Sequence, residues 1–368
     1  MMRATVVAVG ALFAISGCGQ RAATGPADLA AGNGDDGGVG GNGGGGGTGG
    51  GGNGGGGGGG DGSGDFDLAI GGPFDLGAAA PPSGKTPPAT GAYFGAFVGV
   101  GSNDTPDFLA EEQKIARRWV IDNRFYSYED FVADRTKWDV AGKKLPLITW
   151  EPHWPLDEII AGTDDALFHQ RAQGLRDLGV DILLRWGHEM NGNWYPWGGA
   201  NNGGANGGPA KYIAAYRHVH DLFVADGATN VYWVWCPLVA DVPAESWNHW
   251  TNYYPGDGYV DWVGLDAYNW GNSSSCCTWQ SFGDLVTDLY GDYAGKKPLI
   301  LAETASAEVG GNKAAWIDDM HQALKTKFTG IKAIVWFDIN KETDWRIDST
   351  PPTLAAYRSM ALDPYFNP

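Results

Sequence analysis

DILLRWGHE, residues 181–189, is a short run apolar at nearly every position that closes on a glutamate. A strand with one wet face alternates polar and apolar residues, whereas a run apolar on both parities is expected where both faces are covered. KPLILAE (297–303) repeats the pattern and also ends on a glutamate. With these two, runs at 92–99, 119–125, 145–150, 231–236, 260–267 and 331–337 make eight predicted strands, the pair above contributing 181–187 and 298–302. Amphipathic stretches at 166–179, 210–227, 282–295, 313–328 and 352–361 predict helices between and after them. Such alternation is the signature of βα units around a parallel sheet. Eight units favour a closed (β/α)8 TIM barrel over an open doubly wound sheet, and no glycine-rich dinucleotide fingerprint follows the first run.

The barrel does not account for the whole chain of 368 residues. Residues 32–64 hold 24 glycines and a single valine, too little apolar surface to offset the entropy of ordering a backbone. The expected organisation is an export signal over 1–17, a disordered Gly-rich tether over 18–87, and one catalytic domain over 88–368. The net charge is −18, of which −13 falls after residue 84. That field repels nucleic acid and acidic polysaccharides alike. A neutral partner suits it better, and 17 tryptophans and 15 tyrosines offer flat faces for sugar rings.

The N-terminus places Arg3 before the apolar stretch ATVVAVGALFAIS, too short to span a bilayer comfortably. Ile15-Ser16-Gly17-Cys18 resembles the lipobox of bacterial lipoproteins, which implies lipidation of Cys18 and anchoring at the cell surface or outer membrane. Ordinary secretion is the alternative. A tether from residue 19 to about 84 would let the domain range ~40–50 Å from its anchor. In an oxidising compartment, a bridge between Cys236 and one of Cys276 and Cys277 is expected, because a vicinal disulfide is strained. Three thiols without CxxC spacing make a poor zinc site, so neither metal nor cofactor is expected. The domain is expected to be a monomer.

Glu189 and Glu303 carry the chemistry. Each stands where a buried strand meets solvent, a place where desolvating a carboxylate is costly unless it is used. Two such groups from distant strands suit a retaining glycosidase, in which one carboxyl donates a proton and the other attacks the anomeric carbon, ~5–5.5 Å apart. Glu189, near Met190, Trp194 and Trp197, is expected to have a raised pKa, further raised by an ionised Glu303.

The segment RWGHEMNGNWYPWG (185–198), with VDWVGLDAYN (260–269) and LAETAS (301–306), resembles glycoside hydrolase family 26, whose best-known members are endo-β-1,4-mannanases. The resemblance implies the same barrel, Glu189 as acid/base and Glu303 as nucleophile. It also implies that His188 lies by the sugar nearest the cleavage point, that Trp194 forms a stacking platform, and that Tyr268 hydrogen-bonds the nucleophile.

Other positions follow from the strands themselves. Arg185 shares strand parity with Glu189, and an ion pair and a substrate contact are both open to it. Arg124 is a second candidate for the cation that keeps Glu303 ionised. Trp336 ends the eighth strand as a candidate floor for the sugar. ITWEPHW (148–154) puts Trp150, Glu151, His153 and Trp154 on the catalytic face as candidate sugar contacts. That run also resembles family members cutting mixed-linkage β-glucan, so glucan and xylan stay open beside mannan. The loop GGANNGGANGGPA (198–210) is expected to be mobile. A barrel that binds carbohydrate without cutting it, and a lyase acting on uronic-acid polymers, are the competing function classes.

Overall fold

The computed structural model describes residues 82–99, 105–127, 134–275 and 277–368. The expected signal at 1–17, Cys18 and most of the expected tether lie outside the described residues. All eight predicted strands form: β1 (Tyr93–Val98), β2 (Ile121–Tyr126), β3 (Leu145–Trp150), β4 (Ile182–Trp186), β5 (Val231–Trp235), β6 (Trp262–Asn269), β7 (Leu299–Ser306) and β8 (Ile331–Asp338). Each pairs in parallel with its neighbour in chain order, and β8 returns to β1, so the sheet is a closed barrel.

Helices α1 (Thr105–Ile115), α2 (Asp134–Ala141), α3 (Leu156–Ile160), α4 (Asp165–Leu178), α5 (Gly208–Ala225), α6 (Phe282–Tyr293), α7 (Lys313–Thr326) and α8 (Pro351–Ala361) wrap it. Between β5 and β6 three short 3-10 turns replace a helix. The loops that lead into α6, α7 and α8 end on Ser281, Asn312 and Thr350, whose side chains accept the first free helix N–H groups.

Strand parity divides the core. Leu147, Leu183, Val234, Ile300 and Val335 fill the barrel interior. The opposite parity, including Trp150, Trp186 and Trp336, faces the helices. The parity breaks once on β7, where the pairing with β6 and with β8 slips between Leu301 and Glu303. The extra residue of this bulge lets Ala302 and Glu303 both turn inward. The strand also runs on to Ser306, four residues beyond its predicted end.

The boundary of the tether differs from the expected residue 87. Ser83 Oγ and Gly84 N donate to Asp181 at 2.7 and 3.0 Å, and Trp262 Nε1 donates to the Gly84 carbonyl at 2.6 Å. A Cβ on Gly84 would sit 2.4 Å from the Tyr232 ring. Residues 83–84 therefore pack against the amino end of the barrel and belong to the folded unit.

Candidate active site

The carboxyl ends of β2, β3, β4, β6 and β7 bring one buried polar layer together. Arg185 of β4 is its hub, with no exposed surface. Its Nη1 donates to both carboxylate oxygens of Asp266 at 2.8 Å, its Nη2 donates to Glu303 Oε1, and its Nε donates to Thr149 Oγ1 at 2.9 Å. Burial alone would lower the guanidinium, but Asp266 and then Glu303 hold it well above its ordinary value. Of the two roles open to Arg185, the structure gives it the ion pair, since a side chain with no exposed surface cannot meet a sugar. Arg124 is not the cation at Glu303: its parity on β2 turns it outward, where it pairs with Asp122 at 3.1 Å.

Glu303 receives a second hydrogen bond, from the Tyr268 hydroxyl to Oε2 at 2.5 Å. Burial, followed by the charge of Glu303, pushes the Tyr268 phenol well above its usual range, so it keeps the proton it donates. The nucleophile candidate thus has one oxygen on a cation and the other on a phenol.

Glu189 is supported differently. The chain leaves β4 through Gly187 (φ +57°) and Glu189 itself (φ +51°), a left-handed conformation that costs a non-glycine residue about 1–2 kcal/mol. It is held there by Glu189 N donating to the Cys236 carbonyl at 2.8 Å and Gly192 N donating to the Glu189 carbonyl at 2.9 Å. Trp194 Nε1 donates to Glu189 Oε2 at 2.9 Å, and the indole lies so close to Gly192 that a Cβ there would be 2.5 Å from it. Burial, then repulsion from Glu303, raises the Glu189 carboxyl to about 8 against the opposing Trp194 bond.

The aromatic loop is braced rather than loose. Trp197 Nε1 donates to the His188 carbonyl at 2.7 Å, and the Trp197 ring stacks on Tyr195 at 4.2 Å between centroids. Asn191 accepts from Leu238 N at 2.9 Å and donates to the Leu238 carbonyl at 2.9 Å, tying the loop to the segment after β5. The glycine-rich run forms two 3-10 turns. Asn201 and Asn202 within it donate to the carbonyls of Tyr195 and Pro196 at 2.8 and 2.7 Å.

His188 is buried, with Nε2 3.2 Å from the Tyr195 hydroxyl. Desolvation, with Arg185 next, lowers it well below its ordinary value, so the imidazole is neutral. His153 stays on the rim, 3.5 Å from Glu151 and edge-on to Trp197.

Two expected sugar contacts lie elsewhere. Trp150 has the parity opposite to Thr149 and is enclosed by Trp154, Phe168 and Phe223, and Trp336 is enclosed by Trp316 and Tyr357. Both are fully buried between barrel and helices, one residue out of phase with the cleft. Phe337 takes the inward place on β8, against Phe97, Phe125 and Tyr268.

The expected Cys236 bridge is absent: Cys236 is a free, buried thiol that donates to Asp266 Oδ1 at 3.2 Å. Cys277 is disulfide-bonded. Sequence reasoning also passed over Asp266, although it shares parity with Tyr268 in VDWVGLDAYN, and over Thr149 and Asn123. His188, Asp266 and Glu303 bring potential ligand atoms within 4.8 Å of one another. Arg185 already occupies both carboxylates, so a divalent ion would have to displace it.

The profile of Glycosyl hydrolase family 26 matches residues 158–345, which contain both glutamates. The chain belongs to glycosyl hydrolase family 26. It is 40% identical over 279 residues to Endoglucanase H of Acetivibrio thermocellus, covering 73% of this chain and 30% of that one. It is 39% identical over 108 residues to "Mannan endo-1,4-beta-mannosidase A and B" of Caldalkalibacillus mannanilyticus, covering 28% of this chain and 20% of that one. The chain thus spans less than a third of the length of either relative. The solved structure of a GH26 β-mannanase from Bacteroides ovatus superposes with a TM-score of 0.55 at 12% identity, covering 76% of this chain and 90% of that one. At that identity the likeness is one of fold, and the fold is the family 26 barrel.

Proposed function

We propose that this family 26 chain is a retaining endo-β-glycanase that hydrolyses β-1,4-linked mannan or glucomannan. The observation that carries the reading is the contrast between its two buried carboxyls. Glu303, held by Arg185 and Tyr268, suits the ionised nucleophile. Glu189, raised to about 8, suits the protonated acid. Glu303 attacks the anomeric carbon while Glu189 gives its proton to the departing oxygen, leaving a glycosyl ester on Glu303. Esterification removes the charge that repelled Glu189, so its pKa falls and the carboxylate accepts a proton from the incoming water. His188, Trp194, Tyr268 and His153 are the proposed sugar-side contacts.

The relative named as a mannan endo-1,4-beta-mannosidase supports mannan. A second reading, a β-glucan backbone, draws on the wider match to the relative named Endoglucanase H, a name that does not specify the linkage. Reducing-sugar release from mannan, glucomannan, mixed-linkage glucan and xylan separates the two. Proton NMR of the first product reports its anomer. An inverted anomer would sink the retaining mechanism, and binding without release would favour a receptor.

We further propose export and lipidation at Cys18, supported by the lipobox-like run, with a monomeric domain on a tether. Palmitate labelling of the full chain lost in Cys18→Ala is the expected result. An unlabelled wild type would leave secretion as the route.

A further inference from the structure

Arg185 meets two carboxylates and one neutral acceptor. Asp266 takes Nη1 with both oxygens at 2.8 Å, and Glu303 takes Nη2. The third contact, Nε to Thr149 Oγ1 at 2.9 Å, is to a neutral acceptor, on the edge of the guanidinium that Nε shares with Nη2 and so beside the Glu303 contact. Thr149 and Arg185 are register partners on β3 and β4.

The direction of each proton in that contact is forced. Arg185 Nε can only donate, so Thr149 Oγ1 accepts, and the hydroxyl proton must go elsewhere. It goes to Asn123 Oδ1 at 2.7 Å. In this arrangement the Asn123 oxygen, not its amide nitrogen, faces the Thr149 hydroxyl. Asn123 Nδ2 is then left buried without a partner among the described residues, a loss of stability that an apolar residue would avoid. A carboxylate at 123 would satisfy Thr149 equally well but would draw the guanidinium's charge away from Glu303. An amide is the side chain that accepts one proton and adds no charge.

Resting on the proposed role of Glu303 as nucleophile, we infer that Thr149 and Asn123 are positioning residues, a proton-ordered chain from β2 through β3 that sets the plane of Arg185 and hence the aim of Glu303. Neither touches substrate. A small misplacement of a reacting group lowers the chemical step far more than it lowers binding.

The test is the rate at which Glu303 is esterified by 2,4-dinitrophenyl 2-deoxy-2-fluoro-β-mannobioside or its cellobioside counterpart, followed by intact mass, with kcat and KM on the polysaccharide that wild type cuts. Wild type that is not labelled at Glu303 defeats the retaining reading itself, separately from this inference. With wild type labelled, Thr149→Val is expected to label about tenfold more slowly or worse, with kcat reduced in parallel and KM within about twofold. Thr149→Ser should restore labelling to within about threefold of wild type. Asn123→Leu removes the unpaired amide but also leaves the buried Thr149 hydroxyl without its acceptor, so Tm does not separate the roles and the labelling rate does: a merely structural role predicts unchanged labelling. The positioning role predicts labelling slowed about threefold or more. Labelling of Thr149→Val at the wild-type rate overturns the inference. Where Thr149→Val does not fold, Asn123→Leu decides it by the same measure.

Discussion

Glu189 and Glu303 lie close enough for the charge of one to raise the pKa of the other, yet they are supported by different kinds of structure. Glu303 sits within β7 at a bulge, one oxygen on a fully buried guanidinium and the other on a phenol. Glu189 sits beyond β4 on a left-handed turn, its carboxylate accepting a side-chain hydrogen bond from Trp194. The first arrangement stabilises an anion by cation and hydrogen bond, and the second keeps a carboxyl protonated by desolvation and by repulsion from Glu303, against the one opposing bond from Trp194. The difference teaches that the strand supplies rigidity and charge, and the loop supplies desolvation.

The comparison breaks most sharply at the nucleophile. Glu303→Ala should lower kcat by about four orders of magnitude or more, with the fold intact by circular dichroism; near-normal turnover would remove Glu303 from the mechanism. Glu189→Ala should cost about 10²–10⁴-fold on polysaccharide, but much less on aryl glycosides whose leaving groups need no proton. Equal losses on both substrates would deny Glu189 the role of acid.

Tyr268→Phe removes one charge-assisted bond from Glu303 and should reduce kcat about 10–100-fold, the size of one such bond. Trp194→Phe removes the bond that lowers the Glu189 carboxyl. Activity needs protonated Glu189, so kcat/KM should fall above about pH 8 in wild type, and the variant's alkaline limb should move higher. A limb that moves down or stays would reject Trp194 as the influence on Glu189.

The smallest effect is on stability. With its pKa raised in the folded state, Glu189 binds more protons folded than unfolded between the ordinary carboxylate range and about pH 8, so stability falls as pH rises through that window. Glu189→Gln is neutral throughout and should raise Tm at pH 8 relative to wild type by a few degrees. No gain, or a larger gain at pH 4, would contradict the sign.

Much of this was legible before the structure. Runs apolar on both parities announced covered strands, and eight of them announced closure. Glu189 and Glu303 stood out because nothing about packing explains a carboxylate at the end of such a run. What misled were residues whose face depends on phase. In ITWEPHW a tryptophan and a threonine occupy adjacent positions, and with both sheet faces apolar the letters do not say which points inward. Trp150 and Trp336 went to the helices, and Thr149 and Phe337 to the cleft. Cys236 was read for a bridge and proved to be a donor to Asp266, a partner reached only when β5 and β6 lie side by side.

The order of residues alone determined the period of each segment, the number of βα units and the presence of two acidic strand ends, because these depend on spacing along the chain. The folded molecule decided which parity faces the axis, where β7 slips to turn Glu303 inward, and that Arg185 rather than Arg124 meets it. Those outcomes depend on register between strands far apart in sequence, and register is set only when the barrel closes.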